Sequence, residues 1–368
     1  MTTINIDDFG HRSEGSPTAL DVTGDGTMEI FFTTSDQPGS KGGIFGFRHD
    51  MEELYDIDNN PTTISGFYKY DGGGSMCIPA IGDLNNDGVL QIITTTKNGD
   101  GGIDRRKVFV HSTEDSDNDG KPDLLWSKWI GGPDSRGACL ADINGDGNLE
   151  IIVKSDWSHP FYVLKSDGTD YAGWPKAMSK SGFVMPAACD LDDDGFKEII
   201  FGCKEGIYIY KHNGQPFIES NPDGLFFNNL HGSAYDRMDA APAFVDLTGD
   251  GYFEMIWVSG RSDGINTAEG RVFVLDRFGN FINGWGYDDH IIDLTFLMYD
   301  ILWLPSPAVG FVDYNGTKQL VVTIAEKGKL YCWDASGNSL DNFPVDVPGL
   351  EAKFISPLIA DIDEDEQQ

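Results

Sequence analysis

Residues 190–198 read DLDDDGFKE, and the apolar run Ile199, Ile200, Phe201 follows at once. Like charges a few Å apart repel by on the order of 1–4 kcal/mol per pair at an intermediate effective dielectric. A chain that crowds carboxylates beside a strand bound for the core therefore needs something to compensate them.

The stretch recurs. Aligned on its first Asp, the chain reads SPTALDVTGDGTMEIFF at Asp21, IPAIGDLNNDGVLQIIT at Asp83, GACLADINGDGNLEIIV at Asp142, MPAACDLDDDGFKEIIF at Asp190 and APAFVDLTGDGYFEMIW at Asp246. A shortened SPAVGFVDYNGTKQLVV follows at Asp313, and SPLIADIDEDEQQ at Asp361 closes the chain. The intervals are 62, 59, 48, 56, 67 and 48 residues, with repeats beginning near residues 16, 78, 137, 185, 241, 306 and 356. Self-similarity at such a period signals a radial or solenoid array and overrides a domain count from length.

Each repeat has one anatomy. A short apolar stretch leads into the acidic loop, and a β-rich run such as EIIVKSD or EMIWVSG comes next. A third run follows: GIFGFR, KVFVHS, FYVLKS, GIYIYKH, RVFVLDR and KLYCWDA. Turns such as SDG, HNG, RFG and ASG then lead to a fourth, less regular stretch, for example DYAGWP or SLDNFPV. Short runs rich in β-branched and aromatic residues, punctuated by glycine, read as strands. Four antiparallel strands per repeat predict an all-β fold, a β-propeller whose radial packing hides most sheet edges. Residues 1–368 are expected to form a single propeller domain. Its seventh blade is expected to be incomplete, because the last frame stops after Asp361, Asp363 and Asp365, short of its ninth position. Thr2 to Phe9 would supply one outer strand and not three, so the chain reads as part of a larger multidomain protein.

Composition narrows the function classes. With 40% hydrophobic and 12% aromatic residues in 368, the chain has ample material for a core. Against 26 Lys+Arg stand 60 Asp+Glu, a formal charge of −34. Such a surface repels nucleic acid and anionic membrane and collects cations. No stretch approaches the ~18 continuous apolar residues of a membrane span, so direct insertion is not expected. The opening MTTINIDDFG shows no apolar signal-peptide region. Cys77, Cys139, Cys189, Cys203 and Cys332 form no CxxC or Cys/His cluster, and most sit among apolar neighbours as small buried hydrophobes. No HExxH, P-loop or dinucleotide fingerprint is present.

The frame of the loops is D-x-[DNT]-x-D-G-x-x-[EQ]. Ca2+ takes six to eight oxygens at roughly 2.3–2.6 Å, and a tight turn gathers side chains 1, 3 and 5 around one point. The glycine after position 5 permits the reversal, and a carboxylate at position 9 closes the set from the next strand. The first part of an EF-hand loop is similar, without its helices or its last glutamate. Several structural Ca2+ sites are therefore expected. Asp190, Asp192, Asp194 and Glu198 make the strongest set, followed by Asp142, Asn144, Asp146 and Glu150. Asp83, Asn85, Asp87 and Gln91 lose the last charge and should bind more weakly. Asp21, Thr23, Asp25 and Glu29, like Asp246, Thr248, Asp250 and Glu254, carry a hydroxyl at position 3. The frame at Asp313 is two residues shorter, with Thr317 in place of the fifth-position Asp, and no metal is expected there. Its Asn315 opens a formal glycosylation sequon. One further loop, HSTEDSDNDGKPDLLW, sets Asp115, Asp117, Asp119 and Asp123 at positions 1, 3, 5 and 9. It lies between the third and fourth strands of the second repeat, on the same edge as the other loops.

These repeats resemble the FG-GAP/VCBS repeats of the integrin α-subunit N-terminal propeller and of many bacterial secreted and surface proteins. The resemblance covers about Ser16 to Gln368 and implies a calcium-bearing propeller. It further implies an extracellular or cell-surface interaction module, for adhesion, carbohydrate or protein binding, or scaffolding, with an unknown protein or glycan ligand. Calcium loops of on the order of 10⁻⁴–10⁻³ M affinity suit that location. In such propellers a ligand usually meets the edge opposite the metal loops, where Trp157, His159 and Arg136 are the candidates. The alternative is a polysaccharide lyase of the rhamnogalacturonan- or ulvan-lyase kind, with His231, Tyr235 and Arg237 as acid, base and uronate neutraliser.

Overall fold

The computed structural model describes residues 15–35, 42–55, 64, 66–72, 74–75, 77–97, 102–131, 137–154, 160–177, 186–203, 206–228, 238, 240–262, 268–293, 305–314, 317–326, 328–347 and 356–359. Strands recur in the order the repeats demand. The first sheet is β1 (Thr18–Leu20), β2 (Glu29–Thr33), β3 (Gly43–Phe47) and β4 (Tyr68–Lys69). The second is β5 (Ala80–Gly82), β6 (Gln91–Thr95), β7 (Lys107–Ser112) and β8 (Leu124–Trp129). The third holds β9 (Ala138–Ala141), β10 (Glu150–Lys154) and β11 (Phe161–Leu164). The fourth runs β12 (Ala187–Cys189), β13 (Glu198–Cys203), β14 (Gly206–Tyr210) and β15 (Leu225–Asn228). The fifth runs β16 (Ala243–Val245), β17 (Glu254–Ser262), β18 (Ala268–Leu275) and β19 (His290–Asp293). The sixth is β20 (Ala308–Tyr314), β21 (Thr317–Glu326), β22 (Lys329–Asp334) and β23 (Val345–Asp346). Neighbours within each sheet are sequential and antiparallel. Among the described residues there is no helix, and so none long and apolar enough to cross a membrane.

The chain divides into two compact units, Met1–Pro186 and Ala187–Gln368. In the first, the pleat of β6 and β7 sends alternate residues to opposite faces. Ile92 and Phe109 join Phe31, Ile44, Phe67 and Tyr70 of the first sheet, while Ile93, Val108 and Val110 join Ile151, Val153 and Leu164 of the third. The second unit repeats the device. Met255, Trp257, Phe273 and Leu275 meet Ile200, Ile207 and Ile209 on one side of the fifth sheet, and Ile256, Val258, Val272 and Val274 meet Val322 and Trp333 on the other. Burial on both faces explains why the middle strands read as nearly unbroken apolar runs. The fourth strand of the second sheet is largely open: β8 alternates exposed and half-buried, with Leu125 and Trp129 about half exposed, whereas Phe226 and Phe227 of β15 are buried. Two indoles reach the turn after the third strand of the next sheet, Trp126 from β8 and Trp285 from the turn before β19. Trp126 Nε1 donates to the Ser166 carbonyl at 2.8 Å, and Trp285 Nε1 to that of Ala335 at 2.9 Å.

Two expectations need correction. DYAGWP forms no fourth strand: the third sheet has three strands, and that segment contributes only isolated bridges, Leu164 with Asp170 and Phe161 with Lys176. At Asp313 the shortened frame is no acidic loop at all. Asp313 pairs with Lys318 and Tyr314 with Thr317 inside the β20–β21 hairpin, because losing two residues lets the ladder run almost to the turn. The seventh repeat from Asp361 and the segment Thr2 to Phe9 lie outside the described residues. The described cysteines are free thiols, four buried and Cys139 half-buried.

Candidate metal centres

Five acidic frames occupy the connections β1–β2, β5–β6, β9–β10, β12–β13 and β16–β17, and the sixth, at Asp115, joins β7 to β8. Antiparallel order puts the β5–β6 and β7–β8 connections at one end of the second sheet. Thr113 ties them, its N–H and hydroxyl both donating to the Leu90 carbonyl at 2.9 and 3.0 Å.

The first-position carboxylate organises each loop. Asp21 accepts from the N–H groups of Gly24, Asp25 and Gly26 at 2.7, 3.2 and 2.8 Å. Asp246 repeats this with Gly249, Asp250 and Gly251 at 2.6, 3.1 and 3.0 Å. Asp190 accepts from Asp194 and Gly195 at 3.2 and 3.0 Å. To aim those donors inward the backbone turns left-handed twice, at the sixth position, always glycine, and also at the fourth. The fourth is Gly24, Asn86, Gly145 and Gly249 in four loops, Asn118 in the β7–β8 loop and Asp193 at φ 61° in the β12–β13 loop. Gly and Asn tolerate that region, whereas other side chains pay for it in strain. The alternation of G, N and D at position 4 was legible as this requirement, and the D-x-[DNT]-x-D-G frame passes over it.

The ninth residue opens the second strand of its sheet and is buried in every case: Glu29, Gln91, Glu150, Glu198 and Glu254. One oxygen accepts the N–H of position 2. Val22, Leu84, Ile143, Leu191 and Leu247 donate at 3.0, 2.7, 3.1, 2.9 and 2.7 Å. In Glu254 the other oxygen accepts the Thr248 hydroxyl at 3.1 Å. Burial pushes Glu198 up to about 8, against the Leu191 hydrogen bond and aided by the charges of Asp192, Asp194 and Asp190. Burial likewise raises Glu150 to about 7, despite the bond from Ile143 and with Asp146 and Asp142 adding to it. Glu254 is raised for the same first reason.

Three sets gather ligand oxygens that all lie within 4.8 Å of one another and could hold a metal ion: Asp190, Asp192 and Asp194; Asp246, Asp250 and Glu254; and Asp115, Asp117 and Asp123. In the fourth sheet two buried oxygens have no hydrogen-bond partner: Asp192 Oδ1, of the Asp190 set, and Glu198 Oε1, which is not one of its gathered ligands. An unsatisfied buried acceptor costs roughly 1–3 kcal/mol, more when charged. Residues arranged this way fit a cation. In the β7–β8 loop, Lys121 draws Asp119 away and Ser116 holds Asp123.

The set at Asp142, expected to rank second, is not among the gathered ones. Asn144 turns its amide nitrogen to Asp146 Oδ2 at 3.0 Å and to the Tyr171 hydroxyl at 3.2 Å, so a donor stands where an oxygen was expected. Asn85 does the same toward Asp87 at 2.9 Å. At Asp21, the Thr27 hydroxyl binds Asp25 at 2.6 Å. Sequence reasoning also missed Lys211, whose Nζ lies 3.4 Å from Asp192 Oδ2 and 3.7 Å from Asp194 Oδ2. The ligand candidates Trp157, His159 and Arg136, the lyase candidates His231, Tyr235 and Arg237, and the loop of Asp361, Asp363 and Asp365 fall outside the described residues.

No protein-family profile matches the chain, and no curated protein matches it in sequence. Solved structures do. The Vibrio cholerae biofilm matrix protein Bap1 aligns with 76% of this chain at 20% identity and a TM-score of 0.50, and the match spans 40% of Bap1. An Agrocybe aegerita lectin specific for non-reducing terminal N-acetylglucosamine aligns with 88% of the chain, over 78% of its own length, at 16% identity and TM-score 0.39. A Lactobacillus plantarum protein aligns over 86% of this chain and 82% of its own, at 16% identity and TM-score 0.41. The fold is all-β and propeller-like, and identities of this size speak to fold alone.

Proposed function

We propose that residues 1–368 form one calcium-binding β-propeller of the FG-GAP/VCBS kind, acting outside the cell as an interaction module for a protein or glycan. One observation carries the metal reading: Asp192 Oδ1, gathered with Asp190 and Asp194, is buried without a partner, and so is Glu198 Oε1 at the ninth position of the same loop. A hard divalent cation supplies the missing charge and takes oxygens in flexible number, which suits loops mixing carboxylate, hydroxyl and carbonyl. Asp190, Asp192, Asp194 and Glu198 would hold it in the fourth sheet, Asp246, Asp250 and Glu254 in the fifth, and Asp115, Asp117 and Asp123 in the second. Because an ion that binds the folded loop stabilises it by mass action, the role of the metal is structural. The net charge of −34 agrees with a cation-collecting surface. Loops of on the order of 10⁻⁴–10⁻³ M affinity fill only at extracellular calcium levels, which supports that location. A biofilm matrix protein shares the kind of fold, and the kinship goes no further than fold.

The test is a thermal melt of chelator-stripped protein with and without millimolar calcium, paired with a calorimetric titration. A clear rise in Tm with saturable uptake is expected. A melt indifferent to both chelator and calcium overturns the reading.

A further inference from the structure

The loops differ at a position outside their own frame. Strand pairing sets Ile30 against Phe47, Ile151 against Leu164, Ile199 against Tyr210 and Met255 against Leu275. One residue further along that register, the ninth-position side chain faces the residue that follows the third strand. Glu29 then stands across from Arg48, Glu150 from Lys165, Glu198 from Lys211, and Glu254 from Asp276. In the second sheet the pair is Gln91 and Ser112. By register alone, a basic residue is set opposite the ninth carboxylate in three sheets, a neutral pair in the second and two acids in the fifth.

Lys211 shows what that cation does. Its ammonium reaches the outer oxygens, Asp192 Oδ2 and Asp194 Oδ2, at 3.4 and 3.7 Å. Asp192 Oδ1 and Glu198 Oε1 stay buried and unpartnered. One charge on a tethered stem therefore offsets part of the repulsion and leaves the buried part of the set unfilled. In the fifth sheet nothing comparable happens. Asp276 spends its carboxylate on its own turn, accepting from the N–H groups of Phe278 and Asn280 at 2.8 Å each. The neighbouring Arg277 lays its guanidinium over the Tyr252 ring, 3.5 Å from the centroid, with no carboxylate partner among the described residues.

We propose that the residue after the third strand tunes the metal affinity of the loop across from it. Lys211 is a built-in counter-ion that weakens divalent binding at the Asp190 set, and its absence leaves the Asp246 set the tighter site. The proposal rests on the metal reading above, and it reverses the ranking that carboxylate number alone would give. A fixed positive charge about 4 Å from a divalent ion opposes its binding by about tenfold or more even at high effective dielectric. Lys211 is partly solvated and free to swing, which holds the effect to the lower end.

Lys211→Met keeps the stem over the Phe217 ring, which the ammonium now faces at 5.9 Å, and removes the charge. Calorimetric titration of the chelator-stripped chain with calcium should show one site tightening by on the order of tenfold relative to wild type. That gain should vanish in Lys211→Met/Asp190→Asn. Without metal, Lys211→Met should melt below wild type, since Asp192 and Asp194 lose the ammonium that pairs with them, and saturating calcium should close the gap. An isotherm that superimposes on wild type, while Asp190→Asn loses a site, overturns the proposal and leaves the metal reading standing. If neither wild type nor Lys211→Met takes up calcium, both fall together.

Discussion

Replacing Glu198 with Gln separates a carboxylate kept for a cation from one kept for the fold. The side chain is fully buried, one oxygen accepts the Leu191 N–H at 2.9 Å, and the other has no partner. The molecule already contains the product of the substitution. In the second sheet Gln91 accepts the Leu84 N–H through Oε1 at 2.7 Å and donates Nε2 to the Val89 carbonyl at 2.8 Å. The carbonyl of Phe196 holds the equivalent place for Glu198→Gln. A glutamate raised from 4.5 to about 8 withholds on the order of 4 kcal/mol of stability at pH 7.5, at about 1.4 kcal/mol per unit. Halving that for relaxation of the loop leaves about 2 kcal/mol, or ~4–8 °C in Tm for a unit of this size. Glu198→Gln should therefore melt higher than wild type in chelator at pH 7.5, and its calcium-dependent rise should be smaller. Paired melts in chelator and in millimolar calcium read both quantities. A lower Tm without metal, or an undiminished calcium increment, would falsify the account of Glu198 as a metal-facing carboxylate.

The raised glutamates also set a pH dependence. A group whose folded pKa exceeds its unfolded value stabilises fully below the unfolded value, and that stability is lost as pH climbs through the folded one. Metal-free protein should lose stability from about pH 5 upward, through about 7 for Glu150 and about 8 for Glu198, and calcium should flatten the profile. Chelated melts that stay level across that window count against it. His111 acts on the acid side: burial alone pushes it down to about 3, and neither ring nitrogen has a hydrogen-bond partner. Its contribution is present above about pH 6.5 and lost as pH falls, so His111→Phe should gain more in Tm at pH 5 than at pH 7.5. Asp193→Gly relieves a left-handed residue at φ 61° and should raise Tm by ~2–4 °C for about 1 kcal/mol, with calcium affinity unchanged because Asp193 lies outside the gathered set. Gly202→Ala drives a methyl into the Met238 carbonyl oxygen and sets it 2.7 Å from the Trp257 ring. Denaturant unfolding should show a loss of ~1–3 kcal/mol or more, and a neutral result would mean the second unit is looser than its packing implies.

Much of this protein was legible in its sequence because the repeats speak with one voice. Every third-strand run from GIFGFR to KLYCWDA became a strand, and the ninth position of each loop between a first and a second strand, from Glu29 to Glu254, became the first residue of that second strand. The reason is local. Alternation along a strand buried on both faces leaves little choice of residue, and a loop of fixed length between two paired strands leaves little choice of geometry. The fourth strands were less legible. They are edge strands, paired on one side only, and so DYAGWP could read as a strand and form only bridges. Which loops draw their oxygens together was not legible at all. Asn144 and Asp192 stand at the same position of the same frame, yet a hydroxyl from Tyr171 turns one away while Lys211 leans on the other. Tyr171 lies 27 residues from Asn144, and Lys211 lies 19 from Asp192. The sequence by itself determined the repeat, the strand order and the list of candidate ligands, since these depend on neighbours along the chain. The partners of each ligand come from another strand or turn, brought there by sheet pairing, and only the tertiary structure decided them.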